Sequence, residues 1–168
     1  MSGTDSEEWP MLMSRVIAAC CAGAAMIAMS ACSSSHDSGM IDGAGVDAEY
    51  RQEAATLTWP QGFPDPGSNF TEKDGGTGDG YPVHSFPGEG FSAADSTWWC
   101  AWVNYYVQDP AAHAQQSLAQ MRTIKEKHLY AKAGAPDFRE SVDAEIAALE
   151  LGDAGLLQLD YQANCKVD

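Results

Sequence analysis

The 168-residue chain sets 24 Asp and Glu against 9 Lys and Arg, a formal charge of −15. So acidic a surface repels nucleic acid and anionic headgroups, which excludes both as expected partners. The length supports one domain with a core of its own, not two.

Near the start, an apolar run from Val16 to Met29 leads into Met29-Ser30-Ala31-Cys32 and then Ser33-Ser34-Ser35. The run falls short of the ~20 apolar residues that span a bilayer, and its Ala, Gly and Cys content argues against a retained membrane helix. The tetrapeptide resembles the lipobox of bacterial lipoprotein precursors, in which a small residue precedes a Cys that is diacylated and becomes the new N-terminus after cleavage by signal peptidase II. Met29 departs from the Leu preferred at the first position; Ser30, Ala31 and Cys32 fit. The resemblance implies a signal peptide over 1–31, lipidation of Cys32, and attachment to the outer face of a cell membrane through acyl chains. Residues 1–12 contain Asp5, Glu7 and Glu8 and no basic residue, whereas a targeting segment opens with positive charge. Initiation at Met11 or Met13 would place Arg15 in a short basic n-region, so the first ten or twelve residues are read as a mis-assigned start.

From Cys32 to about Glu49 the composition is Ser, Gly, Asp and Ala, which predicts a disordered tether of about 20–25 Å at ~5–6 Å times the square root of its length. A single extracytoplasmic domain is then expected over 50–168. Its first part, to about Gly90, is dense in Pro and Gly, with extended candidates at Thr56–Trp59 and Tyr81–Phe86. Turns fall at Asp65-Pro66-Gly67-Ser68 and Asp74-Gly75-Gly76. This part reads as an irregular cover strapped down by Trp59, Phe63, Phe70, Tyr81 and Phe86.

Helical periodicity begins at Ser92. Ser92 or Asp95 is the expected cap of a helix carrying Trp98, Trp99, Cys100, Trp102, Val103, Tyr105, Tyr106 and Val107. Those side chains cover roughly 220° of its circumference and leave Thr97, Ala101, Asn104 and Gln108 as a polar strip. Asp109-Pro110 predicts an N-cap and a first-position proline for a second helix, with Ala114, Leu118, Met121, Ile124 and His128 on one face and Gly134 at its end. A third helix opens near Pro136, bears Phe138, Val142, Ile146 and Leu149, and closes at Gly152. Asp153 is the expected cap of a last one with Leu156, Leu157, Tyr161 and Cys165. Cysteine counting pairs Cys100 with Cys165, since Cys20 and Cys21 lie in the signal segment and Cys32 is lipidated. The expected fold is mainly α: a small disulfide-stapled bundle of about four helices under a Pro/Gly-rich cover.

Chemical motifs are sparse. There is no G-x-S-x-G, H-E-x-x-H, phosphate-binding or dinucleotide-binding Gly-rich loop, or S-x-x-K set, and His36, His84, His113 and His128 share no metal-ligand spacing. No cofactor or metal is expected. Asp74-Gly75-Gly76-Thr77-Gly78-Asp79-Gly80 is similar to a calcium-binding Gly/Asp repeat, but its Asp stands one position early and the unit occurs once, so a hairpin tip is preferred. Trp98, Trp99 and Trp102 are candidates for a ligand platform, although aromatics at helical spacing more often form core. Arg122, Lys125, Lys127 and Lys132 make a basic patch, explained by the C-terminal end of the second helix or by an anionic wall polymer.

The whole pattern, with Trp98-Trp99-Cys100-Ala101-Trp102 and a terminal Asn164-Cys165, is similar to small lipoproteins of high-GC Gram-positive bacteria; that likeness brings no functional residue with it. Two functions follow as expectations. The first is a lipid-anchored, non-catalytic domain that binds an envelope ligand or protein. The second is a cell-envelope hydrolase drawing on carboxylates of the 65–90 segment: Glu72, Asp74, Asp79 or Glu89.

Overall fold

A computed structural model describes residues 39–71 and 84–166. The signal segment, Cys32, the first part of the expected tether (to residue 38), Glu72, the Asp74–Gly80 loop and Tyr81 lie outside the described residues.

The domain begins earlier than expected, because helix α1 spans Gly43–Ala54. Residues 43–49 are therefore helical and partly core, not tether. Val46, Tyr50, Ala54 and Leu57 recur near i, i+4, i+8 and i+11 and are all buried, a helical stripe that the small residues between them disguise. Asp42 caps the helix by accepting Gly45 N–H at 2.8 Å. Asp47, also buried, accepts the backbone N–H groups of Phe70 and Thr71 and so pins the chain returning over α1. Ahead of the helix, Ile41 and Ser85 form an isolated antiparallel bridge. The Thr56–Trp59 stretch is turn and coil rather than strand, and Phe86 is 70% exposed, so it straps nothing. Trp59 and Phe63 do pack on the core.

Helix α2, Glu89–Gln108, carries the tryptophans. It starts ahead of both expected caps: Gly88 stands at the N-cap, and Glu49 of α1 supplies the missing acceptor, taking Gly88 N–H at 2.9 Å and Gly90 N–H at 3.1 Å. Asp95 is fully buried inside the helix instead and accepts Leu129 N–H at 2.8 Å. Burial pushes its carboxyl up to about 6 despite that bond. The two helices cross so closely that a Cβ on Gly90 would lie 2.2 Å from the carbonyl oxygen of Val46.

Helix α3, Pro110–Met121, opens as expected: the Asp109 side chain accepts Ala112 N–H and Pro110 takes the first position. It does not run on to Gly134; a 3-10 segment, Arg122–Glu126, and a π-turn, Leu129–Ala133, replace its last turns. Helix α4, Pro136–Glu150, ends in a Schellman motif. Gly152, at φ +82°, donates to Leu149, and Asp153 donates to Ala148. Helix α5, Gly155–Asp160, passes into a second π-turn, Tyr161–Cys165. Asp153 accepts Gly155 N–H at 2.8 Å, and Leu156, expected on the packed face, is 43% exposed.

The core is centred on α2. Trp98, Trp102, Val103 and Ala94 are at most 1% exposed, and Met121, Ile124, Ile146 and Leu157 close around them. The Thr58 carbonyl oxygen accepts both indole N–H groups, from Trp98 at 2.8 Å and Trp102 at 3.0 Å. The Cys100–Cys165 disulfide fastens the final turn to α2, and the described domain is the expected mainly helical, disulfide-stapled bundle.

Candidate functional site

Three hollows adjoin one another, and the disulfide borders two of them. The most enclosed, about 400 Å³, lies between α2, α4 and the last turn. Its apolar wall includes Trp99, Ile124, Leu129, Phe138 and Val142, and its polar side is formed by Ser141, Glu145, Asp160 and Asn164. A second, of about 460 Å³, shares Ser96, Cys100, Asn164 and Cys165 with the first and extends to Trp59, Phe63 and Pro64. The expected polar strip of α2 is its floor, since Thr97, Ala101 and Asn104 all line it. A third, about 360 Å³, shares Ser141, Glu145, Asp160 and Asn164 with the first and opens past Leu156 and Leu159. The three adjoin through these shared residues and are together called the groove; the disulfide borders the first two.

Glu145 and Asp160 set the electrostatics of the enclosed hollow. Glu145 is 7% exposed; its Oε1 accepts Ser141 Oγ at 3.2 Å, and its Oε2 is buried with no hydrogen-bond partner. Burial, and then the neighbouring Asp160 charge, push its carboxyl up to about 7 against the opposing Ser141 bond. Asp160 is fixed from two sides: Trp99 Nε1 donates to Oδ2 at 2.9 Å and Asn164 Nδ2 donates to Oδ1 at 2.7 Å. A buried carboxylate whose available donor is one hydroxyl has lost hydration without receiving a counter-charge.

The expected site residues divide. Cys100 and Cys165 are bonded to each other. Trp98 and Trp102 belong to the core, with both indole N–H groups spent on Thr58. Trp99 alone of the three borders the groove. Glu89 is exposed on the first turn of α2, while Glu72, Asp74 and Asp79 are outside the described residues. The basic patch does not present four free cations: Arg122 pairs with Glu150 at 2.6 Å, Lys125 pairs with Asp143 at 2.9 Å, and Lys127 sits 5.9 Å over the Trp98 ring. His113 stacks on Tyr105 at 3.7 Å, and His128 contacts Ser92 and Phe91.

Sequence reasoning missed Glu145 and Asp160. The first was legible, because Glu145 falls on the same helical face as Val142, Ile146 and Leu149. For Asp160 no local signal exists; its role comes from Trp99, 61 residues away.

No family model matches the chain, and neither a curated protein nor a solved structure matches it. Among the described residues, no helix is long and apolar enough to cross a membrane, and no group of three or more His, Cys, Asp or Glu is placed to hold a metal ion.

Proposed function

We propose that the protein is a lipid-anchored extracytoplasmic binding domain, tethered at the outer face of the cell membrane through Cys32, with the groove beside the disulfide as its ligand site. The groove carries the reading: three adjoining hollows combine apolar walls with a few convergent polar groups, the usual make-up of a small-molecule site. The anchor draws its support from Met29-Ser30-Ala31-Cys32 and the short apolar run before it. Two acyl chains on one Cys give stable attachment where a single chain is marginal. In cells fed a labelled fatty acid, wild-type protein should take up label and sediment with membranes, and Cys32→Ala should do neither. A labelled, membrane-bound Ala variant overturns the anchor.

A second reading, a cell-envelope hydrolase, is favoured by one observation and relocated by it. Glu145 and Asp160 line a common hollow, and a carboxyl pushed up to about 7 beside a second carboxyl is the kind of pairing that general acid–base hydrolysis uses. Of the carboxylates expected from the 65–90 segment, Glu72, Asp74 and Asp79 lie outside the described residues, and Glu145 with Asp160 is the pair that the described residues bring to one hollow. Release of soluble fragments from purified cell wall by the wild type, and not by Glu145→Gln, is the result this reading requires.

A further inference from the structure

We infer that the enclosed hollow seats the primary ammonium group of a ligand with an apolar body, with the cation between Glu145 and Asp160 and the body directed along the groove. The inference rests on reading the groove as a ligand site.

The donor–acceptor balance of the hollow is one-sided. Glu145 Oε2 accepts nothing although its side chain is more than nine-tenths buried. Each carboxylate oxygen has acceptor capacity for about two hydrogen bonds, so Asp160, taken by one donor at each oxygen, also retains room. Among the described residues lining the enclosed hollow and the one that opens past Leu156, Glu145 and Asp160 are the charged side chains and none is basic. Two acidic groups, Glu145 buried and Asp160 half-buried, therefore face the same hollow with no basic side chain in its lining. Asp47 is served by the backbone N–H groups of Phe70 and Thr71; Asp95 accepts Leu129 N–H at Oδ2 and also leaves Oδ1 without a partner, but it lines none of the three hollows.

The missing group is a multiple hydrogen-bond donor with positive charge. An ammonium offers three donors and no acceptor, which matches Glu145 Oε2 and the spare capacity of Asp160. An anionic ligand would meet repulsion from both acids. A divalent metal ion takes six or more oxygen ligands or a set of nitrogen and sulfur donors, and no group of three or more candidate ligands is so placed among the described residues. The surroundings fit an organic cation better. Trp99 and Phe138 line the hollow, and aromatic faces attract ammonium groups. The adjoining hollow, bordered by Trp59, Phe63 and Pro64, offers apolar surface for the rest of the molecule.

The test is calorimetric titration of the purified full chain at pH 8 with three probes that share a phenethyl body: phenethylammonium, 2-phenylethanol and 3-phenylpropionate. The expected result is that phenethylammonium binds at least tenfold more tightly than the alcohol, while the carboxylate does not bind. Glu145→Gln, which removes charge at nearly constant volume, should abolish that tenfold preference. Equal affinity for ammonium and alcohol overturns the ammonium assignment and leaves the groove reading standing, as does a preference that survives in both Glu145→Gln and Asp160→Asn. Failure of all three probes to bind the wild type overturns both.

Discussion

Glu145 is held in a state that favours its proton. Its carboxyl rises from 4.5 in an open chain to about 7 in the fold, because burial and the Asp160 charge both disfavour ionisation. A raised acid contributes most stability below its unfolded value, and that contribution is lost as pH climbs from about 4.5 to about 7. Urea unfolding across that window should show the decline. In Glu145→Gln the decline should be smaller, and the variant should be more stable than wild type at pH 8, on the order of 2 kcal/mol. Asp95 has the same sign, raised from 3.8 to about 6 by burial, and leaves a residual slope at lower pH. An identical pH profile in wild type and Glu145→Gln would mean that Glu145 is solvated. Ligand binding should follow the opposite course: the ammonium probe needs the carboxylate, so its affinity should rise from pH 6 to pH 8.

At the scale of elements, the α1–α2 crossing decides how the bundle starts. Gly90 lets the helices approach, and a methyl group there would lie 2.2 Å from Val46 O and 2.6 Å from Glu49 Cβ. Gly90→Ala gains about 1 kcal/mol in helix propensity, but it pushes α1 aside and displaces the Glu49 carboxylate from the α2 N-terminus. Thermal unfolding should show a net loss of about 1–3 kcal/mol. A variant as stable as wild type would show that α1 docks loosely. Elements with strong local signals were legible in the sequence: the Asp109-Pro110 start of α3, the Pro136 start and Gly152 end of α4, and the apolar arc of α2. Those signals are short-range chemistry and survive folding unchanged. Helix α1 was hidden because glycine and aspartate at 42–47 mimic a linker. Its stability comes from burial against α2, a contact between residues about forty apart. Half of the site was unreadable for the same reason, since Asp160 meets Trp99, 61 residues away, only after α5 docks.

For the whole molecule, the disulfide joins residues separated by 65 positions and also walls two of the three hollows. Closing a loop of that length stabilises the fold by roughly 4 kcal/mol in the chain-entropy model. Cys100→Ser should therefore lower the unfolding free energy by a few kcal/mol in denaturant titration. It should also weaken every groove ligand together, charged or neutral, because the last turn carries Asn164 and Cys165 into the lining. Unchanged affinity for the neutral probe would separate the bridge from the site.

The Thr58 carbonyl has a consequence of another kind. One backbone oxygen takes two indole donors, while the Thr58 side chain that belongs to it is exposed. Side-chain mutagenesis is blind to such a junction: Thr58→Ala should alter stability by no more than about 0.5 kcal/mol. Any residue that leaves the local backbone path intact would serve as well, so the position is free to vary while the interaction it carries stays fixed. Editing the main chain exposes it. Replacing the amide between Thr58 and Trp59 with an ester weakens the carbonyl as an acceptor and should cost about 1–2 kcal/mol across the two bonds, a loss that an alanine scan of the same segment would pass over.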